Sequence, residues 1–112
     1  MIVKAMTFNI QHGLDYKELL NKKRIINLDK VCDLIKQNNP DIVCLNEVYN
    51  DTKKLETVDQ TKYIANKLGY QYYYFGKAIT IKESIEYGNA LLSKYPIIEA
   101  SIHMIDDPSI KD

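Results

Sequence analysis

The feature that most limits the fold of this chain is one helical pattern enclosed between two strand-like apolar segments. Residues 2–10 alternate or run apolar in a composition typical of a strand, and residues 41–46 form a short apolar run typical of a buried strand. Between them, residues 27–39 carry apolar side chains at helical spacing, with Asn27 as a cap and Asn39-Pro40 as the stop. Two strands joined through a helix form a parallel pair. The sequence therefore predicts an α/β fold.

The remainder of the chain predicts one more main helix and three more strands. Thr57 and Gln60 have the spacing of a capping box, which predicts that a helix begins at Thr57, and Gly69 suits the left-handed residue that ends a helix. Residues 70–75, 88–93 and 97–105 are apolar or alternating segments bounded by turn residues, so each is predicted to be a strand. We expect a single domain, residues 1–112, with a mixed sheet and two main helices.

Parallel pairing of the first two strands brings two polar residues to one edge of the sheet. Asn9 stands near the C-terminal end of the first strand, and Glu47 comes just past the end of the second. Ligands of open α/β sheets bind at this edge. A carboxylate beside a carboxamide suits Mg²⁺, which takes one or two protein carboxylates together with waters and substrate phosphate oxygens. The structural alternative is that Asn9 caps a turn and Glu47 is a solvated loop residue.

Composition and cysteine placement exclude several classes of protein. Fifteen basic and fifteen acidic residues cancel, so no net field draws the chain onto nucleic acid or an anionic membrane. No segment approaches the roughly 18 apolar residues of a membrane helix, and the first ten residues lack the pattern of a secretory signal. We therefore expect a soluble, cytoplasmic protein. Cys32 and Cys44 lie among apolar residues, so both are expected to be buried, reduced thiols.

Three segments resemble, in the same order, signature stretches of the endonuclease/exonuclease/phosphatase family. They are TFNIQHG at residues 7–13, PDIVCLNEV at residues 40–48 and YGNALLSKYPI at residues 87–97. The resemblance runs from Ile2 to about Ile102. It implies the amino-terminal half of a DNase I-like four-layer α/β sandwich, with a mixed sheet and two main helices.

The same resemblance implies hydrolysis of a phosphoester with Mg²⁺, or with Mn²⁺ as the alternative. In that family the asparagine that ends the first strand orders the phosphate and metal environment, and the glutamate binds the metal; these roles carry over to Asn9 and Glu47. Asn46 departs from the family, which more often has glutamine there. The later family stretches, with an aspartate-asparagine pair and an aspartate-histidine pair, have no counterpart before Asp112. We therefore expect the chain alone to be catalytically incomplete.

His12 and Asn89 are further candidate site residues, each with a structural alternative. His12 either donates a hydrogen bond to a phosphate oxygen or is an ordinary loop histidine. Asn89 either faces the cleft or ends a turn after Gly88.

The function implied by the resemblance leaves the substrate and a second class of function open. DNA, RNA, sphingolipid, inositol phosphate and small phosphodiesters are all compatible substrates. The alternative function is a non-catalytic module that binds a protein or ligand through the same scaffold. A truncated sandwich would also leave an apolar sheet face open, so self-association through that face is expected.

Overall fold

The computed structural model describes residues 1–54, 57–103 and 105, and it contains one four-stranded mixed sheet. A short 3₁₀ turn, Gln11–Gly13, follows the first strand. The strands and α-helices are β1 Ala5–Asn9, α1 Tyr16–Leu20, α2 Leu28–Asn38, β2 Ile42–Asp51, α3 Gln60–Leu68, β3 Tyr72–Ile81 and β4 Ile85–Ser93. The predicted α/β class is confirmed.

The pairing of β1 and β2 is parallel, as the strand–helix–strand pattern predicts. β4 then pairs with β2 on one side and with β3 on the other, antiparallel in both cases. The prediction that the second strand ends at Asn46 is wrong, because β2 continues to Asp51. The extra residues find their partners in the first half of β4, where Val48 pairs with Gly88 and Asp51 with Ile85.

Both main helices form where apolar spacing predicts them, but one cap differs from the prediction. α2 begins after Asn27, whose side chain accepts a hydrogen bond from the Lys30 backbone N–H. α3 ends at Gly69, which adopts the left-handed φ of 79°. The capping box beginning at Thr57 is wrong: the N-cap of α3 is Asp59, which accepts from the Lys62 N–H. The predicted cap partner Gln60 is instead directed into the interior.

The core lies between the two main helices and one face of the sheet. Its buried apolar side chains from the helices and the sheet are Leu28, Val31, Cys32, Ile35, Val43, Leu45, Val48, Ile64, Ala65, Ala90 and Leu92. Alternation along β2 leaves Cys44 and Asn46 exposed on the opposite face. None of the helices in the described part of the chain has the length and apolar character needed to span a membrane.

The alternating segment at residues 97–105 is not a strand in the described residues, which omit residue 104. Ile102 of this segment packs over Gly76 on the exposed face of the sheet instead. Alternation alone therefore predicted a strand that is not found among residues 97–103 and 105.

The two cysteines are both free thiols. Cys32 is buried on α2, and that burial raises its pKa to about 11. The prediction of a buried Cys44 is wrong, because that residue lies on the outward-facing side of β2.

Gly88 lies in β4 where no side chain fits, and this gives a first prediction. A Cβ atom at Gly88 would collide with the backbone carbonyl oxygen of Gly76, whereas at Gly69 the surrounding space is open and only the left-handed φ opposes a side chain. We expect Gly88→Ala to lower the free energy of unfolding by about 3 kcal/mol, and the control Gly69→Ala by about 1 kcal/mol. Urea denaturation measures both; equal losses would contradict the close approach of β3 and β4 at Gly88.

Candidate active site

The pairing of β2 with β4 is interrupted at Glu47 by a β-bulge. Leu45 pairs with Ala90 and Val48 with Gly88, so Asn46 and Glu47 together lie opposite the single residue Asn89. Glu47 has a φ of 58°, in the left-handed region that glutamate rarely adopts. Bulges and strained backbone of this kind are concentrated at functional sites, where they redirect a side chain.

A row of polar residues crosses the sheet at the level of this bulge. Asn9, the last residue of β1, pairs with Asn46, and Asn46 and Glu47 lie opposite Asn89 of β4. Segments far apart in the sequence thus meet on three adjacent strands. Asn89 lies inside β4, not at a turn, and together with Asn46 it lines a cleft on the exposed sheet face.

The carboxylate of Glu47 is half-buried and only partly hydrogen-bonded. Its Oε1 accepts a hydrogen bond from the Tyr87 hydroxyl at 2.8 Å, while its Oε2 is buried without a hydrogen-bond partner among the described residues. Leaving a buried oxygen unpaired costs about 1–3 kcal/mol, and more for a charged group. A bound cation would remove that cost, so the Glu47 carboxylate fits the role of a metal ligand.

The Tyr87 hydroxyl donates a hydrogen bond to the Glu47 carboxylate and does not readily lose its proton. Burial, together with the hydrogen bond to Glu47 and its negative charge, raises the pKa of Tyr87 to about 12. The hydroxyl therefore remains a donor at neutral pH. It fixes one oxygen of Glu47 and leaves the other for a different partner.

Asn9 has a structural role in the described residues. Its side-chain Oδ1 accepts a hydrogen bond from the Gln11 backbone N–H at 3.0 Å. The turn-capping alternative is therefore observed for Asn9, which shapes the start of the turn that carries His12.

His12 lies in a strained turn and stacks on an aromatic ring. Gln11, His12 and Gly13 have consecutive left-handed φ values of 44°, 45° and 77°. The His12 imidazole is stacked on the Tyr49 ring, with centroids 4.3 Å apart and planes 4° from parallel. Burial and the positive charge of Arg24 lower the pKa of His12, and the negative charge of Glu47 partly opposes this. The ring is therefore mainly neutral at pH 7.

Gln60 links this turn to the sheet through hydrogen bonds. Its side chain is fully buried; its Nε2 donates to the His12 carbonyl at 2.8 Å, and its Oε1 accepts from the Tyr49 N–H at 2.9 Å. One amide from α3 thereby aligns the backbone of the turn with that of β2. The stacked rings of His12 and Tyr49 belong to the two segments that this amide joins.

Three residues of this arrangement are not predicted as site residues by the sequence. Tyr87 lies within the third signature segment but is the residue before its glycine, and its contact with Glu47 depends on the bulge. Tyr49 has no distinguishing signal. For Gln60 the sequence indicated only a capping role at the start of the second main helix.

Within residues 1–54, 57–103 and 105, no group of three or more histidine, cysteine, aspartate or glutamate side chains is placed to hold a metal ion. Mg²⁺ nevertheless binds proteins through as few as one or two carboxylates, completing its shell with waters and substrate phosphate oxygens. Glu47 fits one such position.

Comparison with known proteins places this geometry in a known fold. The model of the Endonuclease/Exonuclease/phosphatase family matches residues 6–112. A solved endonuclease/exonuclease/phosphatase from Beutenbergia cavernae DSM 12333 aligns with a TM-score of 0.70 and 23% identity, covering 88% of this chain and 27% of that one. An endonuclease/exonuclease/phosphatase family protein from Leptotrichia buccalis C-1013-b aligns with a TM-score of 0.62 and 13% identity, covering 88% and 39%.

These similarities show a shared DNase I-like α/β fold. The chain spans less than half the length of either solved structure. No curated protein is significantly similar to it.

The charges around His12 give a second prediction. Arg24→Gln removes a positive charge and should raise the pKa of His12, whereas Glu47→Gln removes a negative charge and should lower it further. The pH dependence of the His12 ring signals in NMR measures both shifts. Lys36→Gln, at an exposed position of α2, is the control and should leave the His12 pKa unchanged. A His12 pKa that is unchanged in both Arg24→Gln and Glu47→Gln would contradict this arrangement.

Proposed function

We propose, because this chain belongs to the endonuclease/exonuclease/phosphatase family, that Glu47 binds a divalent metal ion used in phosphoester hydrolysis. The observation that carries the proposal is the Glu47 carboxylate, set on a left-handed bulge residue with one oxygen held by Tyr87 and the other buried without a hydrogen bond. Mg²⁺ is the proposed ion, with Mn²⁺ as the alternative, because both accept hard oxygen ligands.

Each residue around Glu47 has a proposed part in this function. A metal ion at Glu47 would supply Lewis-acid stabilisation of a phosphoryl oxygen. Tyr87 orients the Glu47 carboxylate by donating to Oε1. The amides of Asn9 and Asn89, in the same row across the sheet, are proposed to contact the phosphate or the waters of the metal. His12, mainly neutral at pH 7, is proposed to donate a hydrogen bond to a phosphate oxygen.

The 112 residues are proposed to hold the metal weakly and not to turn over substrate. Among the described residues, no group of three or more histidine, cysteine, aspartate or glutamate side chains is placed around Glu47 to hold a metal ion. One carboxylate is a weak attachment for an ion that gives up its water reluctantly.

The substrate is proposed to be a phosphoester other than a long nucleic acid. The basic and acidic residues of the chain cancel, so it has no net positive charge to attract a long nucleic acid. A cytoplasmic location stays a prediction of the sequence.

A non-catalytic binding module is the second candidate, and the missing metal cluster among the described residues favours it. Self-association through the exposed sheet face goes with either function. Sedimentation analysis tests it, since a monodisperse monomer would contradict it.

The metal affinity of two variants tests the role of Glu47. Calorimetric titration with Mg²⁺ should show binding to the natural sequence, none to Glu47→Gln, and about tenfold weaker binding to Tyr87→Phe, because groups that orient a metal ligand contribute about 10–100-fold to affinity. Asp33→Asn, an exposed carboxylate on α2, is the matched control and should bind like the natural sequence.

Two outcomes would contradict parts of this proposal separately. Unchanged Mg²⁺ binding by Glu47→Gln would remove Glu47 from the metal site. Hydrolysis of bis(p-nitrophenyl) phosphate by the 112-residue protein, lost in Glu47→Gln, would support the metal role but disprove the proposed lack of turnover.

A further inference from the structure

A second cleft lies beside the candidate active site and shares the stacked rings of His12 and Tyr49 with it. It has a volume of about 400 Å³ and is lined by His12, Leu14, Arg24, Ile26, Tyr49 and Lys82. Ligand pockets range from about 300 to 1,000 Å³, so this cleft suits a small group or a small molecule. Its walls combine two apolar side chains, two stacked rings and two cations.

The described residues that line this cleft differ in composition from the whole chain. Basic and acidic residues balance over the sequence, yet no aspartate or glutamate is among the described residues that line the cleft. Arg24 is the only arginine in the sequence. Its planar fork of donors matches a phosphate group better than a lysine ammonium does.

Arg24 is distinguished from its basic neighbours by its position. Lys22 and Lys23 precede it in one exposed run, and such a run is ordinarily a solvated surface. Neither lysine lines the cleft, whereas Arg24 does and its charge acts on the His12 ring. The positive charge of Arg24 therefore lies at a concave surface, the wall of this cleft.

A continuous series of contacts joins this cleft to Glu47. Tyr49 forms one wall, and its ring meets the Tyr87 ring edge-on at a centroid distance of 5.5 Å. The Tyr87 hydroxyl in turn donates to Glu47. A ligand in the cleft would thus be a close neighbour of a phosphoester at the proposed metal ligand.

We propose that this cleft binds a second phosphate group of a small substrate whose scissile phosphoester lies at Glu47, with Arg24 as the principal contact. The proposal rests on the function proposed above and narrows it to substrates with two phosphate groups. Lys82 is also part of the lining, and the His12–Tyr49 stack forms a flat wall beside the bound group.

Inorganic phosphate is the probe for this proposal, used with metal-free protein in the presence of EDTA. We expect NMR signals of His12 and Tyr49 to shift on titration. Arg24→Gln should weaken phosphate binding about tenfold, the usual effect of losing a charged hydrogen bond, and Arg24→Lys should weaken it less. Lys36→Gln is the matched control and should bind phosphate like the natural sequence.

Glu47→Gln separates this proposal from the metal site. Phosphate binding to the metal-free protein should persist in Glu47→Gln, because the cleft does not need the metal ligand. Phosphate binding that requires Mg²⁺ and is lost in Glu47→Gln but not in Arg24→Gln would overturn the cleft proposal and leave the proposed function standing. Metal-independent binding lost only in Arg24→Gln would support the cleft even if no metal bound.

A nucleic acid is the competing source of phosphate, and a second titration distinguishes it. A single-stranded hexanucleotide with a 5′-phosphate should bind through that terminal group, so removing the phosphate should abolish the shifts at His12. Tight binding that does not depend on the 5′-phosphate would overturn the assignment to a small substrate.

Discussion

The arrangement of this site depends on the buried amide of Gln60. Its hydrogen bonds reach the His12 carbonyl and the Tyr49 N–H, so one side chain of α3 joins the turn after β1 to the continuation of β2. Each of these backbone groups would otherwise lose this partner, and a backbone group left unpaired away from water costs about 1–3 kcal/mol. The stabilisation offsets the three left-handed residues of the turn, whose conformations are unfavourable by themselves.

The bulge in β2 determines how the charges of this site are arranged. Because two residues lie opposite Asn89, Glu47 departs from regular strand alternation and its carboxylate meets Tyr87. Beyond that contact, Tyr49 and His12 continue the series toward Arg24. Negative charge thus stands at one end, positive charge at the other, and a mainly neutral imidazole between them. Such a pattern suits a ligand that carries a phosphate group and binds a cation.

The sequence predicts the parts of this structure that local patterns decide. Apolar periodicity locates α2 and the start of β2, and the parallel rule brings Asn9 and Glu47 to one level of the sheet. The rest depends on partners distant in sequence. Only pairing with β4 extends β2 through Glu47, and only that register places Tyr87 against the carboxylate. The alternating segment at residues 97–105 shows the reverse case, since a strand pattern without a strand partner among the described residues packs over the sheet instead.

Localising the bound metal tests the central claim, that Glu47 is a metal ligand, most directly. Mn²⁺ broadens the NMR signals of nearby amides, so substoichiometric Mn²⁺ added to labelled protein maps its position. The account predicts broadening centred on Glu47 and extending to Asn9, Asn46 and Asn89, and its loss in Glu47→Gln. Broadening centred elsewhere, or unchanged in Glu47→Gln, would contradict a metal site at the bulge.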